Sequence, residues 1–112
     1  MNEKKTNSEV LERVFETIKC RYNENPNTSY AAQLFSRGRG KIACKIVEEA
    51  TETIVAALHE GEEKVVSESA DLLFHLLILW ADLGIEPALV WEELSRREGV
   101  SGIDEKSARK EK

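Results

Sequence analysis

The segment at residues 72–81, LLFHLLILWA, constrains the fold more than any other part of the chain. Placed on a helix, it is apolar nearly all round, a pattern typical of a central helix that other elements bury. It is about half as long as a bilayer span requires and contains a histidine, so we interpret it as a buried helix of a soluble protein. The complete helix is predicted to run from about Glu62 to Leu83, where Gly84 ends it.

Apolar residues also repeat at helical spacing through most of the remaining chain. Ser29 is a predicted cap of a short helix that Gly38 ends, and Asn7 or Ser8 could cap the first helix. The glycine-containing basic stretch RGRGK is expected to form a hinge at residues 37–41. No strand pattern is present, which predicts an all-α fold of antiparallel helices. The predicted helices span residues 8–20, 30–37, 41–59, 62–83 and about 86–98.

The length of 112 residues corresponds to one domain. We expect a flexible polar N-terminus at residues 1–7, an all-α domain at residues 8–98, and a charged, flexible tail at residues 99–112 that lacks periodicity. Three or four helices would cover a core only thinly, so oligomerisation is plausible from size alone.

Charge and cysteine usage exclude several function classes. The net charge of −5 disfavours a nucleic-acid-binding surface, which needs clustered Lys and Arg. Cys20 and Cys44 have neither zinc-site nor disulfide-framework spacing, and the N-terminus has no apolar signal sequence. These features predict a cytoplasmic protein with reduced thiols that does not bind a membrane.

Carboxylates concentrate on two consecutive predicted helices. Glu48, Glu49 and Glu52 share a helical face with Lys45, opposite an apolar side, and Glu68 and Asp71 repeat the i, i+3 spacing on the next helix. The apolar side comprises Ala43, Ile46, Ala50, Ile54, Ala57 and Leu58. The short connection at Gly61 predicts antiparallel neighbours whose acidic strips could converge.

Three explanations compete for this acidic convergence: solvation, pairing with Lys45, and metal binding. Glu68 and Asp71 favour a metal, because carboxylates beside so apolar a helix should be partly buried and need neutralisation. Oxygen ligands suit Mg²⁺, and Mn²⁺ is possible. His75, one turn after Asp71, is either a core histidine or a partner that orients Asp71.

Cationic residues precede the acidic strip. Next to a metal they suit a polyphosphate ligand, and the alternative is ordinary surface charge that balances the glutamates. The residues are Arg37, Arg39, Lys41 and Lys45.

Two stretches carry a family resemblance: SYAAQLFSRGRGKIACKIVEEATETIVAA and ESADLLFHLLILWADLGI. Over roughly residues 8–98 the chain resembles the phosphoribosyl-ATP pyrophosphatase family of histidine biosynthesis. The resemblance implies Mg²⁺-dependent, nucleotide-binding hydrolysis of 1-(5-phosphoribosyl)-ATP between its α and β phosphates, which gives phosphoribosyl-AMP and pyrophosphate. It also implies a homodimer, or a higher homo-oligomer, whose helices pack into a bundle.

The resemblance also implies roles for individual residues. The metal ligands would be Glu49, Glu52, Glu68 and Asp71. Glu48 would be a further ligand or would orient water, and Lys45 would contact phosphate. Ser29 and Tyr30, with the basic hinge that includes Arg37 and Lys41, would hold the substrate. A carboxylate beside the metal can accept the proton of the attacking water, and Glu48 and Glu49 are the two candidates.

Two alternatives stay open at the level of sequence. A housecleaning (d)NTP pyrophosphohydrolase would share the acidic motif and differ in substrate. A non-catalytic helical interaction module would use the acidic strip to bind a basic partner and would need no metal.

Overall fold

The computed structural model describes residues 6–110, and within this range all regular secondary structure is helical. The first five helices lie within about two residues of their predicted limits, and residues 1–5 of the predicted flexible N-terminus lie outside the described part. The helices are α1 Glu9–Cys20, α2 Tyr30–Arg37, α3 Arg39–His59, α4 Glu62–Leu83, α5 Pro87–Arg97 and α6 Gly102–Lys110.

Side-chain caps and glycines set the helix limits. Ser29 Oγ accepts a hydrogen bond from the Ala32 N–H at 3.1 Å and so caps α2 as predicted. At α1 the Asn7 side chain accepts from the Glu9 N–H at 2.9 Å, whereas Ser8 makes no side-chain cap bond. Gly84 ends α4 in the left-handed conformation, with φ of 74°.

The predicted hinge at residues 37–41 is wrong in extent, because the chain changes direction at Gly38 alone. Gly38 has φ of 95° and ψ of 170°, a region that only glycine adopts without strain. Arg39 to Lys41 already form the first turn of α3. One residue with this backbone freedom is enough to separate the two helices.

The antiparallel pair of α3 and α4 forms the centre of the molecule, and α1 and α2 pack against it. The core combines aromatic and aliphatic side chains from all four helices. Its buried members are Phe15, Ile18, Ala31, Leu34, Phe35, Ile42, Leu77 and Ile78.

The apolar side of α3 noted in the sequence is not its buried side. Ile54 and Leu58 are 59% and 71% exposed, whereas Ile42, Glu49 and Ala56 are buried. Glu49 of the acidic face therefore packs towards α4, while Glu48 and Glu52 stay exposed and an apolar face is left open to solvent.

The expected irregular tail contains a helix instead, α6. Buried Glu105 of this helix accepts a hydrogen bond from Arg96 at 2.9 Å and forms an ion pair with Arg109 at the same distance. Arg96 belongs to α5, so this contact joins two helices through charged side chains. Local hydrophobic periodicity could not reveal it.

No single helix in residues 6–110 has the length and apolarity of a membrane span. Taken together, α4 and α5 satisfy that criterion, but the angle between the two helices is 113°.

Gly38 and Gly40 provide a matched test of the junction between α2 and α3. Gly38→Ala should lower the free energy of unfolding by about 1–3 kcal/mol, because alanine is strained at this backbone conformation. Gly40→Ala should raise it by up to about 1 kcal/mol, because Gly40 is helical. Neither added methyl group would contact another atom within 4 Å. Urea denaturation measures both values, and equal effects of the two substitutions would contradict the junction described here.

Candidate metal centre

Three carboxylates converge between α3 and α4. They belong to Glu49 of α3 and to Glu68 and Asp71 of α4. One carboxylate oxygen from each residue lies within 4.8 Å of the other two. The i, i+3 spacing on α4 places Glu68 and Asp71 on one side of that helix, and the antiparallel packing brings Glu49 opposite them.

Burial and mutual repulsion disfavour ionisation of two members of this cluster, Glu49 and Glu68, whereas Asp71 is exposed, contrary to the burial expected from the sequence. Burial, followed by the charge of Glu52, raises the pKa of Glu49 above its usual value. The pKa of Glu68 is also raised, first by its hydrogen bond with the Glu52 side chain and then by burial. Glu49 Oε2 and Glu68 Oε2 are buried without a hydrogen-bond partner in the described chain. Buried carboxylate oxygens in this state are costly unless a cation or a proton neutralises them.

This donor set fits a hard divalent cation. All the available ligand atoms are carboxylate oxygens, and two of them lack any other partner. Mg²⁺ holds oxygen ligands at about 2.0–2.1 Å, which places adjacent ligands about 3 Å and opposite ligands about 4 Å apart, close to the spacing of three oxygens that lie within 4.8 Å of one another.

Glu52 and Glu48 occupy different positions relative to the three carboxylates. Glu52 is exposed but lies close enough to Glu68 for their side chains to share a hydrogen bond. Glu48 is half exposed, and its Oε1 lies 3.5 Å from Lys45 Nζ. Lys45 Nζ also lies 3.7 Å from Glu49 Oε1, so this lysine connects the exposed Glu48 with the buried Glu49.

A hydrogen-bonded pair, Tyr30 and His75, supports Asp71. The buried His75 Nδ1 lies 2.7 Å from the Asp71 carbonyl oxygen, and His75 Nε2 lies 2.9 Å from Tyr30 Oη. A carbonyl only accepts, so Nδ1 donates to it, and in the neutral ring Nε2 accepts a hydrogen bond from the Tyr30 hydroxyl. His75 thus contacts the backbone of Asp71 and links α2 to α4. Burial also raises the pKa of Tyr30.

The remaining predicted substrate residues lie at varying distances from the cluster. Ser29 precedes Tyr30, and its hydroxyl caps α2. Arg37 and Lys41 are exposed, and their side chains make no hydrogen bond or ion pair within the described residues. Arg39 is held elsewhere, because its Nε donates to Asp82 Oδ2 at 2.7 Å.

Sequence reasoning missed one aromatic neighbour of the site. Phe74 stacks on Tyr30 with ring centroids 6.3 Å apart and meets His75 edge-on at 5.5 Å. Its i, i+3 spacing from Asp71 could have indicated this position, but the surrounding apolar run made Phe74 indistinguishable from a core residue.

Comparisons with known proteins point to one family. The family model described as Phosphoribosyl-ATP pyrophosphohydrolase matches residues 11–98. A Phosphoribosyl-ATP pyrophosphatase of Paramagnetospirillum magneticum is 59% identical over 105 residues, which cover 94% of this chain and 96% of the relative. One of Azospirillum brasilense is 54% identical over 110 residues, covering 98% and 99%. One of Rhodospirillum rubrum is 57% identical over 102 residues, covering 91% and 87%.

Thermal unfolding with and without Mg²⁺ tests the cluster independently of activity. The wild type should be stabilised by about 2.7 kcal/mol at a Mg²⁺ concentration 100-fold above Kd. Glu49→Gln should abolish this gain, yet its metal-free Tm at pH 7 should equal or exceed that of the wild type, because a carboxyl with a raised pKa destabilises the fold when ionised. For the same reason, the metal-free wild type should gain stability as pH falls through the raised pKa.

Glu48→Gln is the matched control for this experiment. Its carboxylate is half exposed, so the substitution should leave the Mg²⁺-dependent gain in Tm largely intact. A Glu49→Gln protein that Mg²⁺ still stabilises fully would show that the cluster does not bind the ion.

Proposed function

The chain belongs to the phosphoribosyl-ATP pyrophosphohydrolase family, and on that premise we propose that it hydrolyses 1-(5-phosphoribosyl)-ATP with Mg²⁺ at the acidic cluster. The bond broken joins the α and β phosphates, and the products are phosphoribosyl-AMP and pyrophosphate, in the second step of histidine biosynthesis. The observation that carries the metal assignment is the pair of buried, unpartnered oxygens on Glu49 and Glu68. We assign the activity to the cytoplasm, where exposed Cys20 and Cys44 would stay reduced.

Glu49, Glu68 and Asp71 would hold the ion, and Glu52, beside Glu68, would complete the carboxylate set. A bound Mg²⁺ would neutralise phosphate charge and make a coordinated water more acidic, and Mn²⁺ would suit the same oxygens. Phosphoanhydride hydrolysis needs positioning and charge neutralisation more than covalent chemistry. A cluster of fixed carboxylates meets that need.

Glu49 is the better placed of the two candidate proton acceptors. It lies within the cluster. If one of its carboxylate oxygens binds the metal ion, the other could accept the proton of an adjacent water. Glu48 is held at the exposed rim by Lys45. We therefore assign proton acceptance to Glu49 and a supporting role at the rim to Glu48.

Lys45 is suited to contact phosphate, because its ammonium already lies between two carboxylates at the edge of the cluster. Tyr30 and His75 would act as positioning residues that hold the backbone of Asp71. Ser29 fixes the start of the helix that carries Tyr30. Arg37 and Lys41 are exposed cations that would have to meet the substrate away from the cluster.

A homodimer would cover the open apolar face of α3. Val47, Ile54 and Leu58 follow at i, i+7 and i+11, which places them on one stripe, and all are well exposed. Val66 near the start of α4 is exposed to 66%. Stripes with this spacing are typical of helices that pack against a partner helix, so the dimer would be a helical bundle.

Pyrophosphate release from phosphoribosyl-ATP, ATP and dNTPs, with Mg²⁺ and with EDTA, tests the activity. We expect rapid Mg²⁺-dependent release from phosphoribosyl-ATP and a loss of at least about 100-fold in kcat for Glu49→Gln. Release mainly from dNTPs would instead identify a housecleaning pyrophosphohydrolase. Release from none of them would favour the helical interaction module.

Light scattering after size exclusion tests the dimer. Leu58→Lys should shift the mass from two chains to one, because a charge would be buried in the interface. Leu94→Lys on α5 is the control at a similarly exposed leucine and should leave the mass unchanged. A wild type that elutes as a single chain at micromolar concentration would exclude this dimer.

A further inference from the structure

A groove runs along α1, with residues of α4 and of the start of α2 as its other walls. Three adjoining clefts of about 380, 340 and 300 Å³ make up this α1 groove. Phe74 lines all three clefts, and Val10 and Val14 line the first two, so the clefts are continuous.

The α1 groove begins at the candidate metal centre. Asp71 contributes both to the carboxylate cluster and to the wall of the first cleft. At the other end, Tyr30 lines the third cleft while its hydroxyl bonds to His75 beneath the cluster. A ligand whose phosphates lie at the carboxylates can therefore extend directly into the groove.

The chemistry of the α1 groove changes along its length. The first cleft is apolar apart from Asp71, with Val10, Val14 and the Phe74 ring in its walls. The third cleft is lined by Arg21 and by Thr17, Thr28, Ser29 and Tyr30, whose hydroxyl oxygens already hydrogen-bond within the chain but can still accept from a sugar hydroxyl. An apolar slot with an aromatic wall suits a flat base. Hydroxyls around an arginine suit a sugar phosphate.

Arg21 is available for a phosphate despite its present ion pair. Its Nη1 lies 2.9 and 3.1 Å from the two carboxylate oxygens of Glu24, and both side chains are more than 40% exposed. Such a surface pair contributes little to stability. A phosphate offers the planar guanidinium a stronger, charge-assisted partner, so exchange of Glu24 for phosphate would be favourable.

We propose that the α1 groove is the specificity site for the nonreacting half of the substrate. The purine would lie against Phe74 in the apolar clefts, and the N1-linked phosphoribosyl group would occupy the third cleft with its phosphate on Arg21. Val10 and Arg21 are eleven residues apart on or beside α1, about 16 Å along the helix axis, which accommodates a base followed by a ribose phosphate. This inference rests on the proposed function and explains how the enzyme would distinguish phosphoribosyl-ATP from ATP.

Arg21→Gln tests the phosphoribosyl end of the groove. The KM for phosphoribosyl-ATP should rise about tenfold or more, with a smaller change in kcat, because a charge-assisted contact is lost. The Ki of ATP as a competitive inhibitor should stay the same, because ATP has no second phosphoribosyl group. Glu24→Gln is the matched control: it removes the ion pair but keeps the cation, so its KM should not rise.

Val10→Trp tests the base end. Filling the apolar clefts should raise both the KM for phosphoribosyl-ATP and the Ki of ATP about tenfold. Leu89→Trp, at a comparably exposed leucine on α5, should change neither value. Circular dichroism and light scattering on each variant exclude misfolding and altered assembly as causes.

Several results would overturn the proposal. If the wild type is active on phosphoribosyl-ATP, two results would show that the groove does not recognise the substrate. One is a KM for phosphoribosyl-ATP that neither Arg21→Gln nor Val10→Trp changes. The other is an ATP Ki that rises in Arg21→Gln as much as the KM for phosphoribosyl-ATP does. ATP that fails to inhibit the wild type would contradict the base site. A change of mass in Val10→Trp would identify the groove as an interface between chains. A wild type inactive on phosphoribosyl-ATP would instead refute the proposed function itself.

Discussion

The packing of α3 against α4 places apolar and acidic side chains at one interface. Ile42 and Ile78 are fully buried in the shared core, while Glu49, Glu68 and Asp71 converge beside them. Burial of each isoleucine contributes about 1.5–3 kcal/mol, and several such contacts together outweigh the cost of holding partly buried, like-charged carboxylates side by side. The apolar contacts can therefore hold together carboxylates that would otherwise separate. The acidic site is a consequence of this imbalance.

Helix limits could be predicted from the sequence because local chemistry determines them. The Ser29 hydroxyl and the backbone freedom of Gly61 and Gly84 act within a turn of their own positions. The same locality explains the error at the hinge. A basic, glycine-containing stretch looks irregular, but only Gly38 adopts a nonhelical backbone, and Gly40 tolerates the helix.

Contacts between distant residues could not be predicted in this way. Glu105 is buried because Arg96 and Arg109 surround it, and no pattern within α6 signals that arrangement. The exposure of the apolar stripe of α3 could not be predicted from a local pattern either. Hydrophobic periodicity shows that a helix has an apolar side, but it does not say whether the same chain or another chain covers that side. On the acidic side, the sequence indicated which carboxylates could meet, and the structure adds that Glu49, Glu68 and Asp71 come together while Glu48 stays at the rim.

Asp71 occupies the edge of α4 where the side that faces α3 meets the side that faces α1. Its carboxylate belongs to the acidic cluster, its backbone carbonyl accepts from His75, and its side chain also borders the α1 groove. Any ligand in the groove therefore lies beside a residue whose backbone is held through His75 and Tyr30. Tyr30 in turn borders the distal cleft. A hydrogen-bonded chain of three residues, Tyr30, His75 and Asp71, thus joins the two ends of the groove through the backbone of the residue that also supplies a carboxylate to the cluster.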